Sequence, residues 1–98
     1  RSSLMEKRIG VVAVIITDKN SVSRINSILS EYDSIIMGRM GLPFRTKNIR
    51  VVSLIVEGST DQIGALAGKI GKIAGVQVRS VLSKYKENNN ESKEGERL

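Results

Sequence analysis

The apolar pattern of this chain occurs twice. Ile9, Val11, Val12 and Ile15 recur forty residues later as Ile49, Val51, Val52 and Ile55. Val22, Ile25, Leu29 and Tyr32 recur at an offset of forty-one as Ile63, Leu66, Ile70 and Ile73. The first set lies in runs of β-branched residues and the second keeps helical spacing, so each copy reads as a strand followed by a helix. Ile35 to Leu42 and Val76 to Leu82 add a strand after each helix, with Pro43 expected to end the earlier one. The order is β-α-β-β-α-β. A duplicated β-α-β with right-handed crossovers closes into a ferredoxin-like sandwich of the α+β class. The first and third strands are then central in a four-stranded antiparallel sheet, and both helices cover one of its faces.

With 98 residues the chain is one domain. We expect a flexible lead over residues 1–6, the folded domain over 7–84, and a disordered polar tail over 85–98, where Asn, Glu and Lys dominate without an apolar period. Ser21 is placed to cap the first helix.

The second helix is unusual. Ser59 followed by Gln62 fits a capping box, and Asp61 lies in the positive first turn. Ile63, Leu66, Ala67, Ile70, Ile73 and Ala74 make one apolar face, and Gly75 is placed to end the helix as its C′ residue. Gly64, Gly68 and Gly71 fall within about 60° of one another around the axis. Each interior glycine destabilises a helix by about 1 kcal/mol relative to alanine. Such a stripe suits tight packing within the domain, contact with another protomer, or a small-molecule pocket. The spacing does not fit a phosphate loop, and no GK[ST] follows a strand.

Composition removes whole classes of function. There is no cysteine and no histidine. Disulfides, thiol nucleophiles, iron–sulfur ligation, imidazole bases and zinc, copper or nickel sites built on those ligands are therefore excluded within one chain type. The serines have no histidine to activate them, and Asp18, Asp33, Glu57 and Asp61 show no spacing suited to paired acid–base work. We expect no enzymatic activity, no cofactor and no metal. The net charge is +6, and it falls entirely before residue 84, because the last fifteen residues balance. That excess attracts anions. Tyr32, Phe44 and Tyr85 are scattered, so no stacking platform supports nucleic-acid binding. No apolar run reaches membrane length and no signal pattern opens the chain, so a cytoplasmic location is expected.

Two surfaces stand out. The central strands are apolar on both faces, so one face is expected to expose an association surface. Val12, Val14, Val52 and Leu54, with Gly71 of the stripe, are the expected interface, and a dimer or tetramer the expected state. Arg39, Arg45, Lys47 and Arg50 cluster around Gly41-Leu42-Pro43. They read either as a bidentate grip on carboxylate or phosphate or as a solvated hairpin rim. Asp61 reads either as the partner of a ligand amine or as a first-turn charge.

TDQIGALAGKIGKIAGVQVRSV, preceded by MGRMGLP and a basic hairpin, resembles the small ACT-like proteins known as iron-only hydrogenase system regulators. The resemblance spans roughly Lys7 to Lys84. It rests chiefly on Gly41, Pro43, Asn48 and the set from Asp61 to Val76. It implies an ACT-type ferredoxin-like fold, association into dimers or tetramers, and a part in regulating hydrogenase expression or maturation. Asp61-Gln62-Ile63-Gly64-Ala65-Leu66 also resembles the Asp-x-x-Gly-x-Leu turn of ACT domains, which bind small effectors at protomer interfaces. In those domains the motif follows the first strand, and here it follows the third. A more distant resemblance to the effector domain of the nickel-responsive repressor does not carry over its nickel site, which needs His and Cys. The expected partners are other copies of the chain, a small anionic or amino-acid-like effector, and a protein partner. The effector is expected between protomers, on Arg39, Gly41, Arg45, Asp61, Gly64 and Gly68. The alternatives are an effector-free adaptor and, on net charge alone, a nucleic-acid binder.

Overall fold

A computed structural model describes residues 7–84. The expected lead and tail lie outside the described residues. The strands are β1 (Arg8–Ile16), β2 (Ile36–Phe44), β3 (Ile49–Gly58) and β4 (Val76–Leu82), and the helices are α1 (Val22–Glu31) and α2 (Thr60–Gly71). The sheet runs β2-β3-β1-β4 with every pair antiparallel. This is the expected ferredoxin-like order, with β1 and β3 central.

The core lies between the sheet and the two helices. Val12, Val14 and Ile16 of β1 and Leu54 and Val56 of β3 point into it. They meet Ile25 and Leu29 of α1 and Ile63, Leu66 and Ile70 of α2, and Ile35 and Ile73 close the ends. The helical half of the internal repeat is thus a repeat of core positions: Ile25 and Leu66 are buried equivalents, as are Leu29 and Ile70. Burying each such side chain contributes about 1.5–3 kcal/mol.

α2 starts as expected. The Gln62 N–H donates to Ser59 Oγ at 3.0 Å, and the Ser59 N–H donates to Gln62 Oε1 at 2.9 Å. Its end differs. The helix stops at Gly71, and Lys72 to Gly75 form a turn before β4. Ala74 is exposed in that turn rather than on the apolar face. Gly75 is not the C′ residue of the helix but the last residue of the turn, with φ of +76°. Its carbonyl accepts both the Thr17 N–H, at 2.8 Å, and the Thr17 hydroxyl, at 3.1 Å. A Cβ at Gly75 would lie 2.6 Å from Asp18 Cβ. We expect Gly75→Ala to lower stability by more than the roughly 1–2 kcal/mol of a left-handed backbone alone, because Asp18 must also shift. Urea denaturation measures this directly.

Two further local readings change. Ser21 makes no side-chain cap on α1. Its hydroxyl donates to the Ala74 carbonyl at 2.9 Å, tying the start of α1 to the turn after α2. Asp18 caps instead, accepting the Asn20 N–H at 2.9 Å at the head of a short 3-10 turn. Pro43 does not end β2, which continues to Phe44 with Pro43 opposite Arg50. β2 is an edge strand, where alternate N–H groups face away from the partner and a proline is tolerated.

Candidate effector site

The register settles which side chains the open sheet face presents. Opposite β1 and β3 positions share a face, so Val12 with Leu54 and Val14 with Val52 lie on the helix side. Val12, Val14 and Leu54 are 0–1 % exposed within the single chain, and Val52 is half-buried against the same core. These four are therefore the wrong parity for an open-face interface, and the expectation is corrected. The open face carries Ile9, Val11 and Ile15 of β1, Val51 and Ile55 of β3, Met40, Leu42 and Phe44 of β2, and Val81 of β4. All of these except Val51 are exposed, Met40 and Val81 at 71 % and 70 %. Four strands about 4.8 Å apart and seven residues rising about 3.3 Å each make a face of roughly 450 Å².

The expected effector residues fall in three places. Arg39 and Gly41 of β2 line a groove of about 140 Å³ between α1 and the sheet, with Arg50, Asn26 and the apolar surfaces of Ile25 and Val52. Arg45 lies in a second hollow, of about 190 Å³, at the β2–β3 hairpin, with Lys19, Asn48 and Arg50. Gly68, together with Gly71, lies in a third groove, beside the free edge of β4. Asp61 is exposed in the first turn of α2, and Gly64 on the same helix lines none of these grooves. Asp61 follows the C-terminal end of β3, whereas the hairpin precedes its N-terminal end. Nine residue steps at about 3.3 Å separate these ends by roughly 30 Å. One chain therefore brings Arg39, Gly41 and Arg45 to one region and leaves the α2 residues out of it.

Lys19, Asn26 and Asn48 join that region although sequence spacing does not point to them. Lys19 arrives because β1 ends beside the start of β3, with Ile16 opposite Arg50. Asn26 arrives because α1 crosses over β3 on its way to β2. Asn48 holds the hairpin in a left-handed conformation, with φ of 58°. The hairpin end also carries Lys47 and Lys72 and, among the described residues, only Asp18 as an acid. Glu31, Asp33, Glu57 and Asp61 lie toward the other end.

The three α2 glycines have no packing reason among the described residues. A Cβ at Gly64, Gly68 or Gly71 would meet nothing within 4 Å. Tight packing inside the domain is thereby removed as their explanation. Lys69 of α2 donates to Glu31 of α1 at 2.8 Å and stands 5.2 Å from the Tyr32 ring centre. The hydrogen bonds to Glu31 and to Tyr32 raise its pKa. Both ends of the pair are about half exposed, so it orients the helices more than it stabilises them. No helix among the described residues is long and apolar enough to cross a membrane.

Residues 8–80 match the TM1266-like family model, described as "Iron-only hydrogenase system regulator, putative". Among solved structures, the uncharacterized protein TM1266 from Thermotoga maritima is similar at 32 % identity with a TM-score of 0.77, over 81 % of this chain and 100 % of that one. The ACT domain of GTP pyrophosphokinase from Chlorobium tepidum is similar at 20 % identity and a TM-score of 0.63, over 76 % and 99 % of the two chains. The C-terminal domain of the MgtC protein from Mycobacterium tuberculosis is similar at 12 % identity and a TM-score of 0.61, over 84 % and 94 %. The last two likenesses concern the fold alone. No curated protein matches the chain.

Proposed function

The chain belongs to the TM1266-like family of iron-only hydrogenase system regulators, and from that premise we propose that it is an oligomeric, non-enzymatic regulator in the cytoplasm. Copies associate through the open sheet face, and a small anionic or amino-acid-like effector at the hairpin end shifts the assembly between states of different affinity for a protein partner. The apolar open face carries this reading. The open face of roughly 450 Å² is mostly exposed Val, Ile, Met, Leu and Phe, with Ser53, Glu57, Gln77 and Arg79 among them, and a patch of that size marks an association surface. A second copy is the natural occupant because a two-fold contact sets the same apolar residues of both partners against each other. An effector then acts by binding one state better than the other.

Light scattering on the purified protein, with and without a panel of carboxylates and amino acids, tests the proposal. The expected result is an oligomer whose size or melting temperature responds to one compound class. A monomer that responds to none would overturn it. The second reading is an effector-free adaptor, favoured by α2 glycines whose added Cβ would meet nothing within 4 Å among the described residues. It predicts an oligomer indifferent to every small molecule.

A further inference from the structure

The α1 groove and the hairpin hollow share two wall residues, Ile16 and Arg50. From that common wall we propose that the hairpin end binds a small dianion, two anionic groups joined by a short carbon chain, with Arg50 between them. This rests on the reading that the chain takes a small effector, and it names the site and the chemical class.

The electrostatics are one-sided in both compartments. The α1 groove offers the guanidinium groups of Arg39 and Arg50 and the amide of Asn26. The hairpin hollow offers Lys19, Arg45, the amide of Asn48 and Arg50 again. Among the described residues no acidic side chain lines either space. Among the described residues none of these six side chains has a hydrogen-bond or ion-pair partner. Cations gathered around a concavity without a counter-charge repel one another, and an anion placed among them removes that repulsion while accepting forked hydrogen bonds. Asn amides add neutral donors at each end.

Size and floor narrow the class. Volumes of about 140 and 190 Å³ fall below those of pockets for drug-sized ligands, about 300–1,000 Å³. Each compartment holds a charged group and a few carbons, not a nucleobase. Apolar residues also border each space: Ile25 and Val52 in one, Phe44 and Ile49 in the other, and Ile16 in both. A carbon spacer crossing Ile16 leaves its two ends in separate cationic compartments. A monoanion fills only one.

Calorimetric titration of the full chain with glutarate and with butyrate tests the assignment. Glutarate is expected to bind about ten-fold or more tightly than butyrate. Arg50→Gln should weaken glutarate about ten-fold or more, and Arg39→Gln and Arg45→Gln should each bring it toward the butyrate affinity. Lys72→Gln removes the same charge at the same end but outside both compartments, and should leave the affinity unchanged. All four side chains are exposed, so the variants should keep the parent melting curve. Equal binding of the two acids, no binding of either, or an equal loss in Lys72→Gln and Arg50→Gln would overturn the proposal. So would a short DNA duplex that binds through Arg50 while glutarate does not. Light scattering on the same samples separates this site from its functional premise. Glutarate bound with no change in assembly upholds the site and counts against the regulator. An assembly that responds equally in parent and Arg50→Gln upholds the regulator and overturns the site.

Discussion

Val12→Asp is expected to abolish folding, whereas Val11→Asp, one residue earlier, keeps the fold and dissociates the assembly. Val12 is 0 % exposed beneath both helices and opposite Leu54. A carboxylate there has no cationic partner in the core cluster, and an unpaired buried charge typically removes more than about 4 kcal/mol. Domains of this size have only about 5–15 kcal/mol in total. Val11 is 40 % exposed on the open face, opposite Ile55 and Val81. Aspartate at that position changes monomer stability by about 1 kcal/mol at most, through lost strand propensity. It places a charge in the middle of the apolar patch, where a partner copy would have to desolvate it. Circular dichroism and light scattering on the two variants give the two readouts. If Val11→Asp stays associated, the open face is not the interface.

The second large effect runs the other way. Gly64→Ala, Gly68→Ala and Gly71→Ala combined are expected to stabilise the chain by about 2 kcal/mol, mostly from the first two because Gly71 is the last helical residue. That corresponds to a melting temperature higher by roughly 10–15 °C for a domain of this length. The prediction depends on the empty space around each glycine, since an added Cβ meets nothing within 4 Å. Thermal melts at several protein concentrations check it. A triple variant that gains nothing and dissociates would place the stripe inside an intermolecular contact.

Much of the fold was legible in the sequence because it was written twice. Helical spacing at Ile25 and Leu29, and again at Leu66 and Ile70, named the core face of both helices. The capping box was readable because its residue types and spacing are specific. The parity of the central strands was not readable. β1 is apolar at consecutive positions, so it has no period of two from which to choose an inward face. β4 does alternate, and its inward Val78 pairs with Val14, which sets the parity once the pairing is known. The candidate site was half legible. Arg39, Gly41 and Arg45 are near in sequence and also in space. Asp61, Gly64 and Gly68 resemble a ligand-binding turn, but topology places Asp61 at the far end of β3. Lys19 and Asn26 needed the crossover of α1 to come into range, and no local motif encodes that. Pro43 and Ser21 depart from their sequence expectations for a related reason: a residue's role depends on whether its strand lies at an edge and on which loop stands opposite.

The two outer grooves flank the two edge strands, one between α1 and β2, the other between α2 and β4. They occupy corresponding places in the two repeats. At the forty-one-residue offset, Ser23, Asn26, Ser27 and Ser30 of α1 stand where α2 has Gly64, Ala67, Gly68 and Gly71. The internal symmetry is therefore kept in the buried positions and lost in the outline. Two edges that share a backbone course but not a surface are not interchangeable. Contact between unlike edges would be head-to-tail and would propagate from copy to copy, whereas contact between identical open faces is isologous and closes at two.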